Sequence, residues 1–265
     1  MPAARTRASK SPKPKKTVAA TRTTLPVVMK TLEKSGSEQT RKTYRRHGAP
    51  EPVFGVSFAT LGGLVKQIGV DHELALSLWD TGNFDARNLA FKIADPVQMT
   101  SSDLDRWARE TSVRMCGGYV SMLAVEGSKG QATAVRWLAS REDRLRAAGW
   151  GVVAQLAARD EAVPEAWLAE KLAEIERTIH AAPNAHREAM NLALITIGGR
   201  SGALRKSALA AAKKVGKVEV DHGDTACKTP DAGAYIEKMW AHAKAKKFES
   251  PSAQERQRES PRTRC

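Results

Sequence analysis

The stretch PEAWLAEKLAEIERTI, residues 164–179, decides the fold class. After the opening proline, apolar residues recur at spacings of four, three and four, at Leu168, Leu172, Ile175 and Ile179. These spacings place them on one face of an α-helix, and charged residues occupy the opposite face. The stretch therefore predicts an amphipathic helix that packs one stripe against a neighbouring element.

Helices are predicted along the rest of the chain as well. From about Leu25 onward, short helical runs alternate with Gly, Pro and helix-capping residues. Ser37 and Asp71 are expected N-caps, and Ser102–Asp105 is expected to form a capping box. Only residues 218–220 have the alternation of a strand. Aromatic residues make up just 5% of the chain, while Ala and Leu recur. We predict an all-α fold of helical hairpins packed in series, an α-solenoid inferred from element lengths because no strict repeat is visible.

The net charge of +14 is concentrated at the two ends of the chain. Residues 1–48 contain 13 Lys and Arg against two acids, and residues 244–265 contain seven against three. The remaining residues 49–243 have one more acid than base. We therefore predict disordered basic tails at 1–24 and 248–265 around one domain at 25–247. A flexible polycation favours nucleic acid as partner through counterion release, and a solubilising or targeting tail is the alternative.

The cysteines predict neither disulfides nor a zinc site, because Cys116, Cys227 and Cys265 are far apart and form no Cys-x-x-Cys pair. No cofactor or metal is expected. We find no apolar run of membrane-spanning length and no secretory signal, so we expect a cytoplasmic, nucleoid-associated monomer. The Arg-, Ser- and Thr-rich start also fits an organelle transit peptide, which stays open.

Two blocks of sequence carry a family resemblance. The early block runs from Phe54-Gly55-Val56 to Leu78-Trp79, Thr81-Gly82 and Asp85-Ala86-Arg87, and the late block includes residues 216–224, Cys227-Lys228-Thr229-Pro230-Asp231-Ala232 and Tyr235-Ile236. In order and spacing, residues 30–240 resemble the DNA alkylation repair family, whose members are HEAT-like-repeat glycosylases that remove alkylated, cationic purines. The resemblance implies a HEAT-like solenoid with a concave, helix-lined DNA groove and chemistry that needs no metal.

The active site that the resemblance implies is altered here. In active members, a Trp and an Asp four residues apart face the deoxyribose, where the carboxylate stabilises the positive charge that develops as the base departs. Our registration, anchored on Cys116, places Val113 and Gly117 at these positions and Leu192 near a second family tryptophan. None of the three matches, which puts catalysis in doubt.

Other residues are candidates for the same site. A shifted register makes Trp107 the groove aromatic and Glu110 the catalytic carboxylate, with an ordinary solvated acid as the alternative. Arg146 matches a family arginine that lies near the DNA backbone, and with Arg144 it belongs to the most basic stretch of the core. A guanidinium suits phosphate, although a surface ion pair explains it equally.

The loop after residue 216 contains Asp221, His222, Asp224 and Cys227, which are metal-ligand types without a familiar metal spacing. A loop held by Asx turns and helix capping is the favoured interpretation. The functional alternative to this structural interpretation is that His222 and Lys228 contact DNA.

Three functions remain open from the sequence. The first is a DNA glycosylase that excises alkylated purines, and the second is a non-catalytic solenoid that binds nucleic acid. The third is a scaffold for proteins, since concave helical surfaces also bind peptides. Steep salt dependence would distinguish nucleic-acid binding from the scaffold.

Overall fold

The computed structural model describes residues 23–111 and 114–263, without the side chains of residues 112–117. This part of the chain contains helices and no β-strand, and its one bridge pairs Gly36 with Val56. The all-α prediction is confirmed, and residues 218–220 form no strand. The helices are α1 (Leu25–Ser35), α2 (Glu38–Arg46), α3 (Phe58–Ile68), α4 (His72–Asp80), α5 (Phe84–Ile93), α6 (Ser101–Glu110), α7 (Arg114–Glu126), α8 (Gly130–Leu138), α9 (Asp143–Arg159), α10 (Glu165–Thr178), α11 (Asn184–Gly198), α12 (Gly202–Val215), α13 (Ala232–Ala245) and α14 (Pro251–Arg256).

Side-chain caps fix where several of these helices begin. Ser37 accepts a hydrogen bond from the Thr40 amide, and Asp71 accepts one from the Leu74 amide, as predicted. The predicted capping box was wrong by two residues. Thr100 and Asp103 form it, each side chain accepting from the other's backbone N–H. The earlier start gives α6 the turn it needs to bury Leu104 and the residues that follow.

Helices α4 to α13 form five consecutive pairs that stack in two layers. Each odd-numbered helix from α5 to α11 packs on the next odd-numbered helix. Among the described even-numbered helices of the stack, only α10 and α12 pack extensively on one another. Closer spacing within one layer curves a stack of this kind, so the odd-numbered helices line its concave side. We call their solvent-facing surface the inner face.

A buried carboxylate joins the N-terminal helices to this stack. Asp85, on α5, is fully buried and accepts hydrogen bonds from the backbone amides of Phe54, Gly55 and Val56 at 2.6, 3.1 and 2.8 Å. Gly55 has a φ of +80°, and a Cβ there would lie 2.5 Å from the Ser37 carbonyl oxygen. Only glycine therefore fits this turn.

The C-terminal segment differs from its prediction as a disordered tail. Residues 248–263, which we call the strap, pack along the C-terminal ends of α5, α7, α9 and α11. Ser250 caps α14, and the buried Ser252 donates a hydrogen bond to the carbonyl of Ala157. The segment is ordered because its arginines find acids and carbonyl groups on the stack. Residues 1–22 of the predicted N-terminal tail lie outside the described part.

The last turn of the strap is the most firmly held. The Arg262 guanidinium is buried and pairs with Glu126 at 2.9 Å, and it also donates to the carbonyls of Phe91 and Lys92. In return, the Lys92 ammonium donates to the Arg262 carbonyl at 2.8 Å. The strap therefore ties the C-terminal ends of α5 and α7 to the far end of the chain.

Candidate functional site

The inner face is formed by one side of four helices, which is exposed except where the strap covers the buried Met122. Facing positions repeat every three or four residues, as one side of a helix requires. They are Gly118 and Met122 on α7, Arg144, Ala148, Gly151 and Gln155 on α9, Glu188, Leu192 and Thr196 on α11, and Tyr235, Lys238 and His242 on α13. Two of the positions that the family resemblance assigns to the glycosylase site fall on these helices, Gly117 near the start of α7 and Leu192 in the middle of α11.

Of those glycosylase positions, the structure describes one side chain. Leu192 lies on the inner face and is 50% exposed. Val113 and the surroundings of Gly117 lie outside the described residues. A leucine offers apolar contact but no hydrogen bond or charge, so this position cannot stabilise an oxocarbenium-like sugar electrostatically.

Trp107, the predicted groove aromatic, is fully buried. Its ring stacks on Trp79 with centroids 4.1 Å apart and planes within 7°, and Phe91 packs edge-on against both. This aromatic cluster joins α4, α5 and α6. The structure therefore does not support the predicted DNA contact by Trp107, because its indole has no surface to present.

Glu110, the predicted catalytic carboxylate, is hydrogen-bonded to the same aromatic cluster. Its Oε2 accepts from the Trp79 indole Nε1 at 2.7 Å and from Arg87 Nη2 at 2.6 Å. The Arg87 guanidinium lies 4.6 Å from the Trp79 ring centroid, and burial lowers its pKa against the opposing effect of Glu110. These contacts explain Glu110 as the end of a structural network. A carboxylate held in this way is poorly placed to approach a nucleotide.

The two predicted phosphate ligands differ in how they are held. Arg144 donates to the carbonyl of Arg109 at 2.7 Å, and Arg109 itself forms a two-pronged pair with Glu142. That pair lowers the pKa of Glu142 and raises the pKa of Arg109. Arg146 is exposed, and the described residues provide no ion-pair partner for it. Its guanidinium is thus available to an anion approaching α9.

The loop between α12 and α13 is fixed to α11 from both ends. Asn184 exchanges two hydrogen bonds with the Asp221 backbone, and the Asn191 amide donates to the carbonyl of Pro230. The Asp221 carboxylate also accepts from the Gly223 amide, which is an Asx turn. The predicted Asx turn is confirmed, as is helix capping at the loop's end, where Asp231 accepts from the Ala234 amide.

His222 and Lys228 occupy different positions within this loop. His222 is largely buried, with Nε2 2.9 Å from the Thr229 hydroxyl and Nδ1 4.0 Å from Glu188 on the inner face. It therefore helps to hold the loop. Lys228 is exposed, so its ammonium can reach a ligand at the N-terminal ends of α11 and α13.

The described residues contain no group of three or more His, Cys, Asp or Glu side chains arranged to bind a metal. Within residues 23–111 and 114–263, no helix combines the length and hydrophobicity that crossing a lipid bilayer requires.

Sequence reasoning missed the strap and the side chains that it brings to the inner face. Ser250-Pro251 was the available signal, because an N-cap serine followed by proline at the first helical position marks a helix start. The basic residues of this segment are not a free polycation. Arg256 pairs with Glu161, and Arg262 pairs with Glu126.

Comparison with known proteins agrees with this architecture. The chain is 30% identical over 214 residues to the uncharacterized proteins Lin0241 of Listeria innocua and Lmo0209 of Listeria monocytogenes, covering 78% of this chain and 93% of each relative. A solved structure superposes with a TM-score of 0.76 at 34% identity, covering 83% of this chain and 95% of the other. That protein is described as belonging to a new family related to the HEAT-like repeat DNA glycosylases, with affinity for branched DNA structures.

The family model described as DNA alkylation repair enzyme matches residues 28–236, which spans α1 to α13. The resemblance inferred from the early and late sequence blocks is confirmed, as is the HEAT-like α-solenoid. Taken with the curated relatives, this match shows that the chain belongs to the DNA alkylation repair enzyme family, whose HEAT-like solenoid it shares.

Proposed function

We propose that this protein binds DNA through the inner face of its solenoid and prefers branched DNA to a plain duplex. The observation that carries the proposal is the similarity, over most of both chains, to a solved protein with affinity for branched DNA. Arg144 on the inner face and Lys228 in the loop before α13 supply exposed cations. A DNA-binding role also fits the nucleoid-associated location expected from the sequence.

We further propose that binding occurs without excision of alkylated bases. Leu192 stands where the resemblance implies an aromatic residue, and Trp107 and Glu110 are used in packing. Excision needs a group that stabilises the cationic sugar in the transition state, and a binding protein does not. The family model's description as a repair enzyme keeps glycosylase activity as the second candidate function.

The first experiment compares binding of the full chain to a four-way junction, a fork and a duplex of equal length, by fluorescence anisotropy over a series of salt concentrations. We expect tighter binding to the branched forms and a steep negative dependence of log K on log salt concentration. Binding that does not respond to salt, or no binding, would overturn the proposal and leave the protein scaffold.

Arg144→Ala tests the inner face directly. Loss of one phosphate contact should weaken binding to all DNAs and reduce the salt slope by about 1. Arg177→Ala is the matched control, because Arg177 is an exposed arginine on the even-numbered helix α10 and has no ion-pair partner among the described residues. If the two variants weaken DNA binding equally, DNA does not bind on the inner face.

Release of free methylated base from methylated duplex DNA tests the second candidate function. We expect none from the purified chain under conditions in which it binds DNA. Release above the uncatalysed rate would favour the glycosylase and contradict the binding-only proposal.

A further inference from the structure

A cavity of about 430 Å³ opens on the inner face between α13 and the strap. This volume lies within the usual range of small-ligand sites, roughly 300–1,000 Å³. Its walls come from the C-terminal halves of α7, α9 and α11, from α13 and from the strap. The side chains that bear on a ligand are Gln155, Tyr235, Lys238, His242, Glu255 and Arg258.

Helix α13 supplies the aromatic and cationic wall. Tyr235, Lys238 and His242 follow one another at spacings of three and four, so they share the face of α13 that lines the cavity. Tyr235 is 44% exposed, and the Lys238 ammonium lies over one face of its ring, 6.0 Å from the centroid. Proteins that bind single-stranded nucleic acids stack bases on exposed aromatic rings and bind the phosphates with nearby cations.

The strap supplies the opposite wall and leaves the cavity positive. The strap glutamate that lines the cavity, Glu255, is already paired with Arg159 at 2.7 Å and with Arg258 at 3.4 Å. Within the described part of the chain, no acid forms an ion pair with Lys238 or His242. Lys238 and Arg258 therefore bring two positive charges to the cavity. The one carboxylate that opposes them is Glu255, which Arg159 also neutralises.

We propose that this cavity binds one unpaired nucleotide of branched DNA, with its base stacked on Tyr235 and its phosphate beside Lys238 and Arg258. The Gln155 side-chain amide, on the cavity wall, can hydrogen-bond a base edge. This inference rests on the proposed DNA-binding function and gives it a physical source of selectivity. A fork with an unpaired nucleotide at its branch point offers that base at no cost, whereas a duplex must first unstack and unpair one.

The test measures binding of wild type, Tyr235→Ala and Tyr235→Phe to a fork with an unpaired nucleotide at its branch point and to a plain duplex. Losing one stacked base should make Tyr235→Ala bind the fork about 5- to 150-fold more weakly. Duplex binding should stay unchanged, and Tyr235→Phe should keep most of the fork affinity because the ring remains. Val135→Ala is the control, since Val135 is exposed on the even-numbered helix α8.

A second readout places 2-aminopurine at the unpaired position, where stacking on Tyr235 should quench its fluorescence in wild type and Tyr235→Phe but not in Tyr235→Ala. Fork binding that is the same in all three proteins, or a loss that is equal for fork and duplex, overturns the nucleotide site while DNA binding stands. Failure of wild type to bind either DNA would instead overturn the proposed function, and this site with it.

Discussion

Replacing Glu110 by alanine separates a structural carboxylate from a catalytic one. In the structure, one oxygen of Glu110 accepts from the Trp79 indole and from the Arg87 guanidinium. Trp79 is 1% exposed and the Arg87 side chain is 22% exposed, so water cannot fully replace the lost acceptor. The variant should therefore lose stability rather than a chemical step.

The expected size follows from these two contacts. A buried indole N–H left without a partner costs about 1–3 kcal/mol. Because the Glu110 side chain is 36% exposed, solvent screens its pair with Arg87, which we take as contributing about 1 kcal/mol. The sum is about 2–4 kcal/mol. For a domain of this size, each kcal/mol lowers Tm by about 2–4 °C, so we expect Tm to fall by roughly 4–16 °C.

Thermal and urea denaturation of Glu110→Ala, Glu110→Gln and Glu142→Ala would measure this effect. Glutamine keeps an oxygen for the indole and loses only the charge, so its variant should fall between wild type and Glu110→Ala. Glu142 is the control because its pair with Arg109 is about half exposed on both sides and should contribute under about 1 kcal/mol. Equal Tm values for Glu110→Ala and Glu142→Ala would refute the network. Loss of base release at unchanged stability would restore a catalytic Glu110.

Three further substitutions test how the ends of the chain are held, each by urea denaturation. Asp85→Ala leaves three backbone amides without an acceptor and should destabilise by about 3–5 kcal/mol or prevent folding, so near-wild-type stability would contradict the assigned bonds. Gly55→Ala places a Cβ against the Ser37 carbonyl at positive φ and should cost at least about 2 kcal/mol, and a neutral effect would show that the turn is not as described. Arg262→Met should cost about 2–4 kcal/mol, and less in a Glu126→Gln background, because the part-buried carboxylate then no longer needs a counter-charge. Additive effects of these two changes would mean that the strap is not held by this pair.

The fold was predictable where one helix face decides the matter. Leu168, Leu172 and Ile175 are buried on α10, as their spacing requires. The start of α6 was harder, because Thr100 and Ser102 each precede an aspartate by three residues. Both satisfy the local pattern of a capping box, and only packing of the helix on its neighbours distinguishes them.

The strap was not predictable from local composition. Its serines, prolines and charges are typical of disorder, and its order comes from partners far away in sequence. Arg159 meets Glu255 across 96 positions, and Arg262 meets Glu126 across 136. A single sequence contains no signal for such pairs, and the same is true of the cavity between the strap and α13.

The site predicted at Trp107 and Glu110 is not supported by the structure, for a related reason. Trp107 and Glu110 have the types and spacing of a site on one helix, but their environment is set by Trp79 and Arg87 from two other helices. Residue type and spacing show which side chains share a helix face. They do not show whether that face points into the core or toward a ligand.

The residues by which the family is recognised belong mainly to the framework of the fold. In the early block, Trp79 stacks in the core, Asp85 holds a buried turn and Arg87 pairs with Glu110. Each is tied to partners on other elements, so none is free to change without cost to stability. Leu192 on the inner face has no such constraint, since half of its surface is exposed to solvent. Family membership therefore indicates the solenoid fold. The chemistry depends instead on inner-face residues, which can change without unfolding the protein. For this reason, repair by excision does not follow from the fold, and the inner face is where function has to be measured.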